Sequence, residues 1–213
     1  MSAVLNTISF NKKLENLTKS KSFIAFARNA AETRTNAAKE NLIESLMEEP
    51  VIKEIQEASK DPSIQNSEFV SKGNLVAALG FHQGSDPAGE LAEYLEENIY
   101  QKESSPKINW SPNKTQYSFS INYPSKNQIN EHFSSDAESK LEWTNRSWID
   151  IIENGISNAL KKYIFWSEGF KPEGISRSTT GLQSKGSVKN VATLTPSKFL
   201  TKLLDNFKKQ INK

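Results

Sequence analysis

Cysteine is absent from this chain of 213 residues. Its absence excludes disulfides, Cys-ligated zinc, iron–sulfur clusters and thiol nucleophiles together. Histidine is scarce: only His82 and His132 occur, in separate segments. No apolar run approaches the ~18 residues of a membrane span. The start, Met1-Ser-Ala-Val-Leu-Asn6, lacks a basic stretch leading into an apolar one, so no signal peptide is expected. Apolar residues are also few, at 36%. With nine glycines the total is near 40%, below the ~45–50% usual for a globular domain. Serine and asparagine, 27 and 20 residues, fill the gap. The chain is therefore polar and rich in loops. Its charges, 24% of residues and balanced to +2, are not those of a disordered protein.

Arginine is nearly as rare as histidine. Arg28, Arg34, Arg146 and Arg177 are the only four among 27 basic residues. A dedicated nucleic-acid reader carries more arginine and more net charge, because the guanidinium fork suits phosphate and base edges. The lysines are interleaved with acids along the chain, which describes a solvated surface.

A search for chemistry finds little. No His-Glu-x-x-His and no His/Asp cluster with ligand spacing is present, so no metal site is expected. Neither histidine accompanies a Gly-x-Ser-x-Gly elbow. Gly181-Leu-Gln-Ser-Lys185-Gly-Ser187 lacks the order of a phosphate loop, and no apolar strand leads into it. Glu48-Glu49 and Glu96-Glu97 are sequence neighbours, which point apart on a helix and do not form an acid/base dyad. Trp110, Trp143, Trp148 and Trp166 each lie in an apolar run, which favours core packing over a base-stacking platform. No catalytic residue, metal ligand or cofactor is assigned.

Organisation is more legible. Residues 1–20 read as a polar arm, and residues 21–213 as one α+β domain. From Lys21 to Met47 a helix is expected, with Ala27, Ala30, Ala31, Ala38, Leu42 and Leu46 spaced by three and four. Arg28 and Glu32 fall i,i+4 on its wet side. Pro50 should end or kink it near Glu49, with Val51, Ile52 and Ile55 in a second short piece. Such a helix would be near 40 Å long at 1.5 Å per residue, long enough to project past its own core. Between Gly73 and Phe81 the apolar stretch, bracketed by Gly73 and Gly80, reads as a buried strand or tight turn. Asp86-Pro87 is a helix start, followed by Leu91, Tyr94, Leu95 and Ile99 on one face.

Strict alternation marks a hairpin. Tyr117, Phe119, Ile121 and Tyr123 alternate with polar residues, which defines one buried and one wet face. Ile108 and Trp110 form the partner strand, joined through Ser111-Pro-Asn-Lys114. The expectation places Ile108–Tyr123 at the centre of an antiparallel sheet, covered by the N-terminal helix. Tyr117, Phe119 and Ile121 are expected inside, Ser118 and Ser120 outside. Residues 124–139 read as a polar loop and Leu141–Trp143 as a third strand. Ser147 caps a helix carrying Trp148, Ile151 and Ile152, closed by Asn154-Gly155. Tyr163–Trp166 is a further apolar run. Residues 169–190 hold four of the nine glycines and read as a flexible loop. A terminal helix, expected to start at Thr195-Pro196, presents Phe199, Leu200, Leu203, Leu204, Phe207 and Ile211 as its stripe.

This order of elements resembles the neck or tail-completion proteins of tailed bacteriophages, which join head to tail. The likeness rests on the long N-terminal helix, Gly73-Asn-Leu75 entering an apolar segment, the hairpin, and Trp148 through Ile156. A Gly/Ser-rich basic loop and Pro196-Ser-Lys-Phe-Leu200 opening the last helix complete it. It covers roughly residues 25–210 as pattern rather than identity. The entry reads Lys72-Gly-Asn-Leu75 where Thr-Gly-x-Leu is expected, and the loop after Trp166 is longer than in such proteins. The resemblance implies a small antiparallel sheet packed against a long N-terminal helix and a C-terminal amphipathic helix. It implies a non-enzymatic virion protein, assembled in the host cytoplasm as a homo-oligomeric ring against other neck, connector or tail proteins, with no membrane partner.

In that setting Lys171, Arg177, Lys185 and Lys189 become interface or lumen residues. The loop would be ordered by a neighbouring subunit and face acidic surfaces or, as the weaker choice with a single arginine, passing DNA. Phe199, Leu203 and Phe207 pack the terminal helix. The alternative is a nucleic-acid-binding or DNA-packaging accessory protein using the Lys-rich tail and loop, and a small α+β enzyme ranks last.

Overall fold

The computed structural model describes residues 11–61, 63–64, 67–70, 74–81, 84–111, 114–141, 144–155 and 194–212. The architecture is α+β, dominated by helix. Residues 11–18 form helix α1. Helix α2 follows over Lys21–Glu48, and α3 over Pro50–Lys60. Pro50 separates them as its ring requires, occupying the first turn of α3, where no N–H is needed.

Helix α2 changes character along its length. Its second half buries Thr35, Ala38, Leu42 and Leu46. Its first half projects: Phe23 is 42% and Phe26 76% exposed. Thr35 is accommodated in the core because its hydroxyl donates to the Ala31 carbonyl at 2.8 Å. Arg28 does not pair along the wet face with Glu32. It crosses to donate to the carbonyls of Glu103 and Ser104, at 3.3 and 3.1 Å.

The apolar stretch after Gly73 is not a strand. It is a short helix, α4, over Leu75–Leu79. The Asn74 side chain accepts the Ala77 N–H at 2.8 Å, and Gly80 closes the helix in the left-handed region at φ 86°. Glu54 of α3 adds an acceptor for the Leu75 N–H at 2.9 Å. The bracketing residues are thus helix caps, and five apolar residues between them fit one helical turn as well as one strand. Helix α5, Pro87–Asn98, starts as expected, with Asp86 accepting the Gly89 N–H. It buries Leu91 and Leu95, and Ile99 just beyond it is also buried.

Four short strands form two separate two-stranded antiparallel sheets. They are β1 (Tyr100–Gln101), β2 (Lys107–Ser111), β3 (Lys114–Ser118) and β4 (Ile121–Asn122). Strands β2 and β3 pair with Ile108 opposite Tyr117 and Trp110 opposite Thr115. Strand β4 pairs with β1, so the long strand expected over 116–123 breaks at Phe119-Ser120. The register is right: Tyr117, Phe119 and Ile121 point inward of Ser118 and Ser120. The depth is not, because all three are only half-buried. The hairpin lies beside the core and not at its centre.

Residues 126–135 are helix α6 (Lys126–Ser135), not a loop. Ser125 and Gln128 form a reciprocal capping box, and Ile129 and Phe133 are fully buried one turn apart. Leu141 is buried outside any strand. Helix α7, Trp148–Asn154, begins at the Ser147 cap and ends at Gly155, φ 73°. Helix α8, Phe199–Ile211, starts three residues later than the Thr195-Pro196 pair suggests. It lies against the second half of α2 and the end of α7. Among the described residues no helix is long and apolar enough to cross a membrane.

Candidate functional site

Trp148 anchors the interior. Its ring stacks near Phe199 at 6.3 Å and meets Phe81 and Phe133 edge-on at 5.8 and 6.0 Å. Four elements thereby share one aromatic cluster, which fixes α6, α7 and α8 relative to one another. Trp148 is thus a core residue, and Trp110 is half-buried on the hairpin. His132 lies against Tyr94 with ring centroids 4.4 Å apart, a packing role. Burial, with the Glu131 charge adding to it, pushes the Tyr94 hydroxyl above its ordinary range.

A charged junction sits beside the aromatic cluster. Glu153, 0% exposed, accepts the Thr201 N–H at 2.7 Å and the Thr201 hydroxyl at 2.9 Å. It also ion-pairs with Lys126 of α6. Lys198, the residue before α8, supplies no side-chain cap. Glu153 replaces it, so a carboxylate from α7 closes the N-terminus of α8, where the helix dipole favours negative charge. The pattern recurs. Glu54 caps α4, and Glu90 of α5 accepts the N–H groups of Glu138 and Ser139 at 2.7 and 2.9 Å. These acids are spent on tying elements together.

Nearby, Arg146 donates to Asp150 at 2.6 Å, and Asn154 also donates to that carboxylate. Burial pushes Asp150 up. The hydrogen bonds from Arg146 and Asn154, with the charges of Arg146 and Lys126, outweigh it and hold the carboxyl below its ordinary value.

The α7–α8 junction also gathers the two ends of a long excursion. Ser197 donates its N–H to the Ile152 carbonyl at 2.9 Å. A Cβ on Gly155 would meet the Pro196 ring at 3.3 Å. Leu194 bridges Val70, and Thr195 donates to the Phe69 carbonyl at 2.8 Å. Residues 155 and 194 thus leave from and return to one spot. Lys171, Arg177, Lys185 and Lys189 lie outside the described residues, as do His82, Trp143, Trp166 and the Gly181–Ser187 stretch. Phe199, Leu203 and Phe207 are all buried, as their spacing predicts.

Between the second half of α2 and α8 runs a groove of about 560 Å³. Asn41, Ser45 and Glu48 form one wall and Lys209 and Gln210 the other, with Leu203 and Phe207 at the floor. Among the described residues, no group of three or more His, Asp or Glu is placed to hold a metal ion. No protein-family model matches the chain, and comparison with curated proteins and with solved structures finds no significant match.

Sequence reasoning missed the Lys126–Glu153–Thr201 junction. A signal existed: Glu153 follows Trp148, Ile149, Ile151 and Ile152 in a seven-residue helix. A helix so apolar on all sides leaves an acid little access to water, and a buried acid needs partners.

Proposed function

We propose that this chain is a structural virion protein of a tailed bacteriophage, forming a homo-oligomeric ring at the head–tail junction as a neck or tail-completion protein. The observation that carries the reading is the divided helix α2. One half is built into the core, while the other extends outward with Phe23 and Phe26 exposed. A subunit that keeps aromatic surface in water is suited to bury it on assembly. The small antiparallel sheets, the long N-terminal helix and the amphipathic α8 agree with the resemblance. The Gly73–Leu75 entry does not, since it opens a helix. The described acids support a non-enzymatic role, because Glu54, Glu90 and Glu153 cap and clasp neighbouring elements.

The test is the mass and rotational symmetry of the purified full chain, by native mass spectrometry and negative-stain images. A closed ring of roughly six or twelve copies is expected. A chain that forms no ring, yet binds duplex DNA with an affinity falling steeply with salt, would favour the packaging-accessory alternative.

A further inference from the structure

We propose that the outward face of α2 pairs with the same face of a second copy of this chain, end for end, across a two-fold axis near residue 32. The core-facing line of α2 is Thr35, Ala38, Leu42 and Leu46. On the reverse side a second line runs at the same three- and four-residue spacing. It holds Phe23, Phe26, Ala30 and Ala37, then Glu44 and Glu48, and every one of these is exposed. The line is graded: large aromatics first, small residues in the middle, acids last. Such a gradient complements itself only when the partner helix is reversed.

Reversal about residue 32 places Ala30 beside the partner's Arg34, Phe26 over the partner's Ala37, and Phe23 beside the partner's Asn41. Large side chains then meet small ones, as knobs meet holes. Phe23 enters the mouth of the α2–α8 groove, whose wall begins at Asn41 and whose floor is Leu203 and Phe207. A chain cannot fill its own groove this way. Phe23 and Asn41 stand about 27 Å apart along one rigid helix at 1.5 Å per residue. A reversed copy fills both grooves at once.

Charge follows the same register. Lys21, exposed beside Phe23, comes to the partner's Glu44. The groove's other wall carries Lys209, so the attraction comes from the α2 wall. Arg34, near the axis, is drawn aside to the Gln210 carbonyl at the C-terminal end of α8, 3.5 Å away. That contact keeps the two copies of Arg34 from facing each other.

This contact is independent of the head–tail reading. An isologous interface makes a pair, or joins two rings face to face, while contacts around a ring use a different surface. The test is analytical ultracentrifugation of the full chain across the micromolar range. The wild type should dimerise, or associate in even multiples. Phe26→Glu should weaken that step at least about tenfold. Its melting temperature per subunit should not fall, because Phe26 packs against nothing essential in its own chain. Lys21→Glu and Glu44→Lys should each weaken association about threefold, and the double variant should restore it. A wild type that stays monomeric overturns the proposal, as does a Phe26→Glu chain of unchanged mass or a charge swap without rescue. A monomer destabilised by Phe26→Glu also overturns it, showing that the chain's own residues cover the face. A cyclic ring that Phe26→Glu leaves intact removes this interface and leaves the head–tail reading standing. A dimer without rings does the reverse.

Discussion

Helix α8 and the β2–β3 hairpin carry equally regular apolar patterns, yet they end at different depths. In α8, Phe199, Leu200, Leu203, Leu204 and Phe207 are all buried. In the hairpin, Ile108, Trp110, Tyr117 and Phe119 are all half-buried. The cause is what lies opposite. Helix α8 is sandwiched between α2 and α7, with the Trp148 cluster at its start. The hairpin faces only the projecting end of α2 and the tail of α1. Its contacts there are Arg28 over the Phe119 ring at 5.8 Å and the Tyr117 hydroxyl donating to the Thr18 carbonyl at 2.5 Å. Periodicity reports which face of an element turns inward. How far inward depends on how many other elements converge there, which is a tertiary quantity.

Substitution should separate the two regions by free energy. Phe199→Ala empties a site closed on all sides, so urea unfolding should show a loss of about 3–5 kcal/mol. A loss within about 1 kcal/mol would mean that α8 is a loosely attached element and would break the comparison. Glu153→Ala comes next. It uncaps α8 and leaves Lys126 without its counter-charge, which should cost about 3 kcal/mol. That is the low end for a buried pair, because Lys126 is partly exposed and can turn to water. Glu153→Gln should recover part of the loss, since its amide oxygen still accepts the Thr201 N–H. Equal losses in the two variants would show that the ion pair contributes more than the cap.

Where the fold was legible in the sequence, local chemistry decided the structure. Pro50, Asp86-Pro87 and Ser147 fix helix starts through groups within three residues of themselves. The stripe of α8 and the hairpin register are likewise local periodicities. Helix α6 was missed although Ser125-x-x-Gln128 and the Ile129/Phe133 pair are equally local. Serine and asparagine on its wet face disguised it as a loop. Helix α4 was mistaken for a strand because five residues carry too little period to distinguish the two. The Glu153 junction joins residues from three helices, 27 and 48 positions away from the acid on either side. No spacing rule reaches that far. The exposed face of α2 was half legible: its length implied projection, but Phe23 and Phe26 were outside the stripe assigned to the core.

The smallest effect belongs to the hairpin and sharpens the comparison most. Phe119 is half-buried and has a cation above its ring, so Phe119→Ala removes part of an apolar contact and one exposed cation–π pair. The expected cost is about 1 kcal/mol, well below the loss from Phe199→Ala. Arg28→Ala should also cost little, because its bonds to Glu103 and Ser104 are exposed and water can replace them. The informative quantity is their coupling. If the Arg28 guanidinium holds the hairpin to α2 through the ring, the double variant should lose less than the sum of the singles, by about 0.5 kcal/mol. Strict additivity would mean that the ring and the cation act separately, with the hairpin held through Tyr117 and Thr18. A Phe119→Ala loss equal to that of Phe199→Ala would show that the hairpin belongs to the core, and the two regions would no longer differ in kind.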